Sequence, residues 1–225
     1  GDMDLDVIII GSGVIGAAMG FELSKAGFKT LNIDRNHDAG TGSTSASCAI
    51  IRVHYSTLDG SALAYEGYFD WKNWKDYLGV EDDHGIAKFV ECGCLVMETE
   101  QNEFLKKHKS ICSTLNIPFE EWDSRIIKKK LPLYNQESFA PAKRIDQDGF
   151  GETNGSSINS GVFFPTGGYV TDPQLSAHNL RSAAEAKGGV FKFNSEVVDI
   201  IKYNGKVSGV LLASNEVINA PIVIN

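Results

Sequence analysis

Gly11-Ser12-Gly13-Val14-Ile15-Gly16 fits the pattern G-x-G-x-x-G and stands between a short apolar run, Leu5 to Ile10, and a stretch of helical spacing. By itself such a hexamer constrains little. Its context constrains a great deal, because strand, tight turn and helix in this order bring a helix amino terminus to a strand's end, where backbone N–H groups face an anion. The first glycine permits the turn, Gly13 lets a pyrophosphate reach the backbone, and Gly16 lets helix and strand pack closely. Ile15, Met19, Leu23 and Ala26 predict the helix's inner face, Gly27 its left-handed end, and Lys29 to Ile33 a second, parallel strand. Asp34 follows 23 residues after Gly11, where a carboxylate accepts both ribose hydroxyls and repels a 2'-phosphate. The first 34 residues thus read as a β-α-β unit for a dinucleotide other than NADP. FAD and NAD both remain open on the motif alone.

Beyond this unit, a long loop from Asp34 to Ala49 is rich in Gly, Ser, Thr and Asn, which marks it as functional. Leu63, Gly67, Trp71, Trp74 and Leu78 predict one helix with an aromatic stripe, read as core. Phe89 to Met97 alternates with period two, placing Val90, Cys92, Cys94 and Val96 on one strand face. Phe104, His108, Ile111 and Leu115 mark an amphipathic helix, with His108 a packing residue. Gly161 to Phe164 is strand-like. Asp172 caps a helix with Pro173 in its first turn, Leu175, Ala177, Leu180 and Ala184 inside, and Gly188-Gly189 at its end. Three strands follow, at 190–193, 197–202 and 206–213, with Asn204-Gly205 as a tight turn. Pro221 to Asn225 reads as a buried strand that stops without turn or polar tail, as in one piece of a larger whole.

Composition narrows the partners. The formal net charge is -8, and the single basic cluster, Lys128-Lys129-Lys130, reads as a solvated helix face, so nucleic acid is not an expected partner. No apolar stretch approaches a membrane span, and Asp2, Asp4 and Asp6 stand where a signal peptide needs basic residues. Cys48, Cys92, Cys94 and Cys112 form no CxxC, which suits a reducing compartment, and no His or further Cys completes a metal site around Cys92-x-Cys94. The expectation is a soluble, cytoplasmic protein without a metal. Gly1-Asp2, ahead of Met3, is left out of the fold reading.

The run Val7 to Gly13, the loop Gly42-Ser43-Thr44-Ser45 and then Ala49-Ile50-Ile51-Arg52 together resemble the D-amino-acid oxidase superfamily of flavoproteins. Cys92 to Val96, Asn159 to Phe164 and Gly168 to Pro173 recur in the family's order, and the sarcosine and dimethylglycine oxidase branch is the most similar. The resemblance spans essentially the whole chain. It implies an α/β chain: a Rossmann-like FAD-binding domain in two parts, 1–82 and 168–225, around an 83–167 segment of a mixed or antiparallel-sheet α+β substrate domain. A further carboxy-terminal half, or a partner chain, would complete it.

The same resemblance assigns Gly11, Gly13, Val14, Ile15 and Gly16 to the pyrophosphate turn, and Asp34 with Arg35 to the adenosine ribose. Ser43, Thr44 and Ser45 fall near pyrophosphate or flavin, Val197 pairs its backbone with adenine, and Arg52 clamps the substrate carboxylate with a planar fork of donors. Where some members carry a His bonded to the flavin, this chain has Ser43 to Ser47, so FAD is expected to bind non-covalently. Basic residues of sarcosine oxidase that touch the flavin are replaced by Ser45 and Ala49. His54 and Tyr55 either face the substrate or pack, and Cys48 reads as a small buried thiol.

The implied reaction oxidises the C–N bond of a small amino acid or N-methylated amino acid to an imine. Alternatives are a flavin-dependent 2-hydroxy-acid or glycerol-phosphate dehydrogenase, a non-catalytic flavin-carrying subunit, and a plain NAD-binding protein.

Overall fold

The computed structural model describes residues 3–42, 49–139 and 141–225. Internal contacts divide the chain into two units: Gly1–Ala49 with Asp70–Val90 and Val170–Asn225, and Ile50–Phe69 with Glu91–Tyr169. Residues 50–69 thus group with the second unit, where the sequence partition kept them in segment 1–82. The reason is local: Ile50 and Ile51 pair with Tyr169 and Gly168, and His54 stacks on Phe164.

The first unit is built on a four-stranded parallel sheet. Val7–Ile10 (β1) pairs on one side with Thr30–Ile33 (β2) and on the other with Ile222–Ile224 (β13), and β2 pairs in turn with Val190–Lys192 (β9). Val7, Ile8 and Ile9 are all buried, as expected of a strand covered on both faces. One cover is an antiparallel meander, Val197–Tyr203 (β10), Lys206–Leu212 (β11) and Val217–Asn219 (β12). Its Val210, Leu212, Ile218 and Ala220 form one cluster with Leu5, Ile8, Leu31 and Ile33. Asn204 (φ 50°) and Gly205 (φ 75°) make the β10–β11 turn, both left-handed, as a two-residue hairpin needs.

The opposite cover is helical. Val14–Lys25 (α1) packs on β2 and on Pro173–Ala186 (α6). The expected inner face of α1 is corrected: Ile15 is 75% exposed and Met19 37%, while Ala17, Gly20, Phe21 and Ser24 are buried. The period was legible but its phase was not. Small residues face the sheet because the helix lies so close to it that a Cβ on Gly20 would stand 2.4 Å from Asn32 Oδ1. For α6 the cap holds as expected, Asp172 accepting the Leu175 N–H at 2.9 Å with Pro173 in the first turn. The last strand, β13, is a sheet edge rather than a buried strand, with Ile222 48% exposed, since only β1 flanks it.

Two further elements are broken where one was expected. The aromatic helix is Leu58–Lys72 (α2) and Trp74–Leu78 (α3), interrupted at Asn73 (φ -115°, ψ 44°), and Leu63 is exposed while Trp74 and Leu78 are buried. The period-two run splits into Phe89–Val90 (β4) and Cys94–Met97 (β5), leaving Cys92 exposed. Gly93 causes that break, with φ +78° and a position where any Cβ would meet the Phe163 ring at 2.3 Å.

The second unit carries an antiparallel sheet in which Ser160–Phe164 (β7) lies between β5 and Glu120–Asp123 (β6). Ile50–Ile51 (β3) pairs antiparallel with Gly168–Val170 (β8). Phe104–Leu115 (α4) buries Leu105, His108 and Cys112, while Ser124–Lys130 (α5), capped by Asp123, buries Ile127 and leaves its three lysines in solvent. Among the described residues no helix is long and apolar enough to cross a membrane.

Candidate functional site

At the mouth of the β1-α1-β2 unit, Gly11 takes φ +109° and nothing lies within 4 Å of where a Cβ would be. That is a cradle only glycine leaves open without strain. Gly13 is the amino-terminal cap of α1, offers no side-chain cap, and no acidic residue stands in the first helical turn, so nothing there competes with an anion. Gly16 has no room for a side chain either, because a Cβ would sit 2.5 Å from Gly11 O. Asn32 locks the turn from beneath, its Nδ2 donating to Gly11 O at 3.0 Å and to Gly16 O at 2.8 Å. Val14 is half-buried and Ile15 exposed at the same helix start.

Asp34 sits where β2 ends. Its Oδ2 accepts the Ser12 N–H at 2.8 Å and its Oδ1 the Asn36 N–H at 2.9 Å, so the carboxylate clasps the turn to the strand. Each oxygen retains a further lone pair for a ligand hydroxyl. Ser195 N donates to Asp34 O at 2.9 Å, which draws the start of β10 beside it. Ile10, Gly11, Ile33, Asp34, Arg35, Ser195, Glu196 and Val197 line the resulting cavity, about 240 Å³ in volume. Ser12 Oγ, fully buried nearby, has no hydrogen-bond partner among the described residues, and a bound phosphate oxygen is the kind of group that would satisfy it.

The expected cofactor contacts Gly11, Asp34, Arg35 and Val197 therefore converge on one cavity, with Gly13, Val14, Ile15 and Gly16 at the adjoining helix start. Ser43, Thr44 and Ser45, like Cys48, lie outside the described residues. Sequence reasoning missed Ser195 and Glu196 as wall residues. The available signal was their place directly before Val197, which had been singled out.

Arg52 belongs to the second unit. It is exposed, its guanidinium lies 4.5 Å over the Tyr55 ring, and no carboxylate pairs with it among the described residues. His54 points the other way in character: 4% exposed, stacked 4.3 Å from Phe164, with its Nδ1 3.1 Å from His108 Nδ1. Burial, then His108, then the Arg52 charge lower its pKa to about 4, and burial also lowers that of His108. Both rings are neutral in neutral solution, one Nδ1 donating to the other. Burial raises the Cys94 thiol and pushes Cys112 up to about 11, which makes both poor nucleophiles.

A parallel sheet whose Gly-rich turn is braced by an acid at the next strand's end defines a dinucleotide-binding protein. The chain belongs to the family of FAD-dependent oxidoreductases, whose model matches residues 6–225. It is similar to N-methyl-L-tryptophan oxidase of Yersinia pestis (strain Pestoides F), 26% identical over 214 residues that make up 93% of this chain and 50% of that protein. The chain thus spans about half the length of the curated relatives it matches.

Among solved structures it resembles L-proline dehydrogenase from P. horikoshii, with TM-score 0.74, 20% identity, 99% of this chain and 52% of that one. Glycine oxidase from Bacillus cereus gives TM-score 0.65, 21% identity, 98% and 54%. At these identities the likeness is one of fold. FAD is the family's cofactor, and the open cradle at Gly11, the braced carboxylate of Asp34 and the orphaned Ser12 hydroxyl all fit its adenosine diphosphate end.

Proposed function

We propose that this chain supplies the FAD-binding part of an oxidoreductase acting on the C–N bond of a small amino acid or N-methylated amino acid, giving an imine. The observation that carries the reading is the cavity walled by Gly11, Asp34, Arg35 and Ser195 to Val197 at the mouth of the Gly-rich turn. In it, Gly11, Gly13, Val14, Ile15 and Gly16 receive the pyrophosphate, Asp34 with Arg35 the ribose, and the Val197 backbone the adenine. Ser43, Thr44 and Ser45 continue the contacts toward the flavin, which is held without a covalent bond. FAD, when bound, supplies the acceptor for the hydride equivalent that leaves the carbon beside the substrate nitrogen.

Arg52 holds the substrate carboxylate in this reading, supported by an exposed guanidinium that stacks on Tyr55 and is free of any acidic partner among the described residues. Segments 1–82 and 168–225 serve the cofactor apart from residues 50–69, which carry Arg52 and join segment 83–167 in serving the substrate. A reducing, cytoplasmic setting is part of the proposal, supported by unpaired Cys92, Cys94 and Cys112. The names of the relatives, an N-methyl-amino-acid oxidase, a proline dehydrogenase and a glycine oxidase, agree on amines flanked by a carboxylate.

The test is a visible spectrum of the purified protein followed by anaerobic titration with sarcosine, glycine and proline against lactate and glycerol 3-phosphate. Bleaching by an amine is the expected result, and bleaching by a hydroxy compound alone would replace the reading. Arg52→Met should raise KM for the amine by roughly tenfold or more at normal flavin content, the loss of a bidentate charged contact. An unchanged KM would retire the clamp.

A further inference from the structure

We propose that Asp82, His84 and His178 form a binding site for one divalent transition-metal ion, with Zn2+ the best match, apart from the cofactor cavity. His178 Nδ1 lies 2.9 Å from Asp82 Oδ2 and His84 Nδ1 3.3 Å from Asp82 Oδ1. Each residue brings one donor atom to within 4.8 Å of the other two. Ligands of one tetrahedral Zn2+ stand roughly 3.3 Å apart, from bonds of about 2.0–2.1 Å. The two rings approach this spacing from opposite oxygens of the one carboxylate, Oδ2 for His178 and Oδ1 for His84. His84, whose side chain is 66% exposed, is the ligand that would turn to complete the set.

A plain structural role for the trio explains less. The turn at Asp82 must be tied to α6, and Asn179 already does that beside His178: its Nδ2 donates to Asp82 Oδ2 and to Gly85 O, both at 2.8 Å, and its Oδ1 accepts from Trp74 Nε1 and Ala87 N. With Asn179 and the His84 N–H already bound to this carboxylate, neither imidazole ring is needed to satisfy it. Yet two rings stand against it, 4.0 Å apart by centroid. Two imidazoles and a carboxylate are also a donor set that suits Zn2+.

The surroundings favour a cation. His84 and His178 wall a cavity of about 260 Å³ together with Asp38, Asp172 and Gln174. Asp38 is paired with Arg181 at 3.0 Å, and Asp172 keeps an oxygen beyond the one that caps α6. In the ion-free state the His178 Nδ1 is hydrogen-bonded to Asp82 Oδ2, whereas His84 reaches Asp82 Oδ1 through its backbone N–H. The ion would pin the turn 82–85 and the loop at Asp38 to the start of α6.

The experiment is equilibrium dialysis of chelator-treated, tag-free protein against Zn2+ alone, with thermal unfolding measured in parallel. One equivalent should bind, raise the unfolding midpoint, and weaken by at least about tenfold in His84→Ala and in His178→Ala. His84 is exposed, so its replacement leaves the fold intact, and circular dichroism checks this for both variants. No stoichiometric uptake by the unaltered protein, or unchanged uptake by the double variant, would overturn the site.

Discussion

Asp34 carries two tasks at once, and only one was legible in the sequence. Its distance from Gly11 foretold a carboxylate beside the ribose, but nothing in the sequence foretold that both oxygens would already hold backbone N–H groups of Ser12 and Asn36. Replacement by Ala should therefore weaken FAD binding and also destabilise the flavin-free protein, by roughly 1–3 kcal/mol for the orphaned donors. An unfolding midpoint unchanged without flavin would show that the clasp does nothing for the turn. The His54–His108 pair was less legible still, since its members lie 54 residues apart and meet only where the fold brings α4 beside His54. Its consequence is a pH dependence with a definite sign. Burial holds the folded pKa of His54 near 4 against the ordinary 6.5, so the unfolded chain takes up the proton first as pH falls. Stability is full above about pH 6.5 and declines through the window down to about 4, by at most roughly 3 kcal/mol. Thermal unfolding measured across that range should show the decline, and His54→Phe should flatten it.

Elements were recognised more securely than their faces. The spacing of α1 gave the helix and its end at Gly27, yet Ile15 and Met19 turn outward, while Phe21 and the small residues Ala17, Gly20 and Ser24 are buried. Periodicity records which residues repeat, and when large and small side chains repeat with the same period, the distance between helix and sheet decides which set goes in. Here the turn sets that distance, because Gly16 must lie against Gly11 O. Gly20 turns this into a test. In an open helix, Gly→Ala gains up to about 1 kcal/mol in propensity. At this position the new Cβ would stand 2.4 Å from Asn32 Oδ1, and Asn32 cannot retreat without releasing Gly11 O and Gly16 O. Gly20→Ala should thus destabilise by about 1–3 kcal/mol and loosen cofactor binding, as overpacking does. A midpoint that rises would show that the helix has slack to lift. The split of the 89–97 run has a similar origin, since alternation alone could not register that Phe163 occupies the space beside Gly93.

At the scale of the whole molecule, the first unit is assembled from stretches that are distant in the chain. The β-α-β core is local and was readable for that reason. Its neighbours β9 and β13 arrive from residues 190 and beyond, and only pairing in space orders the sheet β13-β1-β2-β9. Strands at 190–193, 197–202 and 206–213 could be read from sequence, but not that the last two leave the parallel sheet to cap it as a meander with β12. That arrangement makes the last eleven residues structural. Ile218 and Ala220 complete the cluster over Leu5, Ile8, Leu31 and Ile33, Val223 packs against it, and β13 covers the free edge of β1. Burying a single large aliphatic side chain contributes about 1.5–3 kcal/mol, and a domain holds only about 5–15 in total. Ending the chain after Ser214 therefore removes a large share of the margin, besides exposing the unpaired N–H and C=O groups of β1. The shortened protein should lose both its cooperative thermal transition and its capacity to bind FAD, although every residue of the Gly-rich turn, Asp34 and Val197 is still present. Retention of FAD binding with a sharp transition would mean that the β1-α1-β2 unit stands by itself, and that the return of the chain to β1 adds nothing to the site.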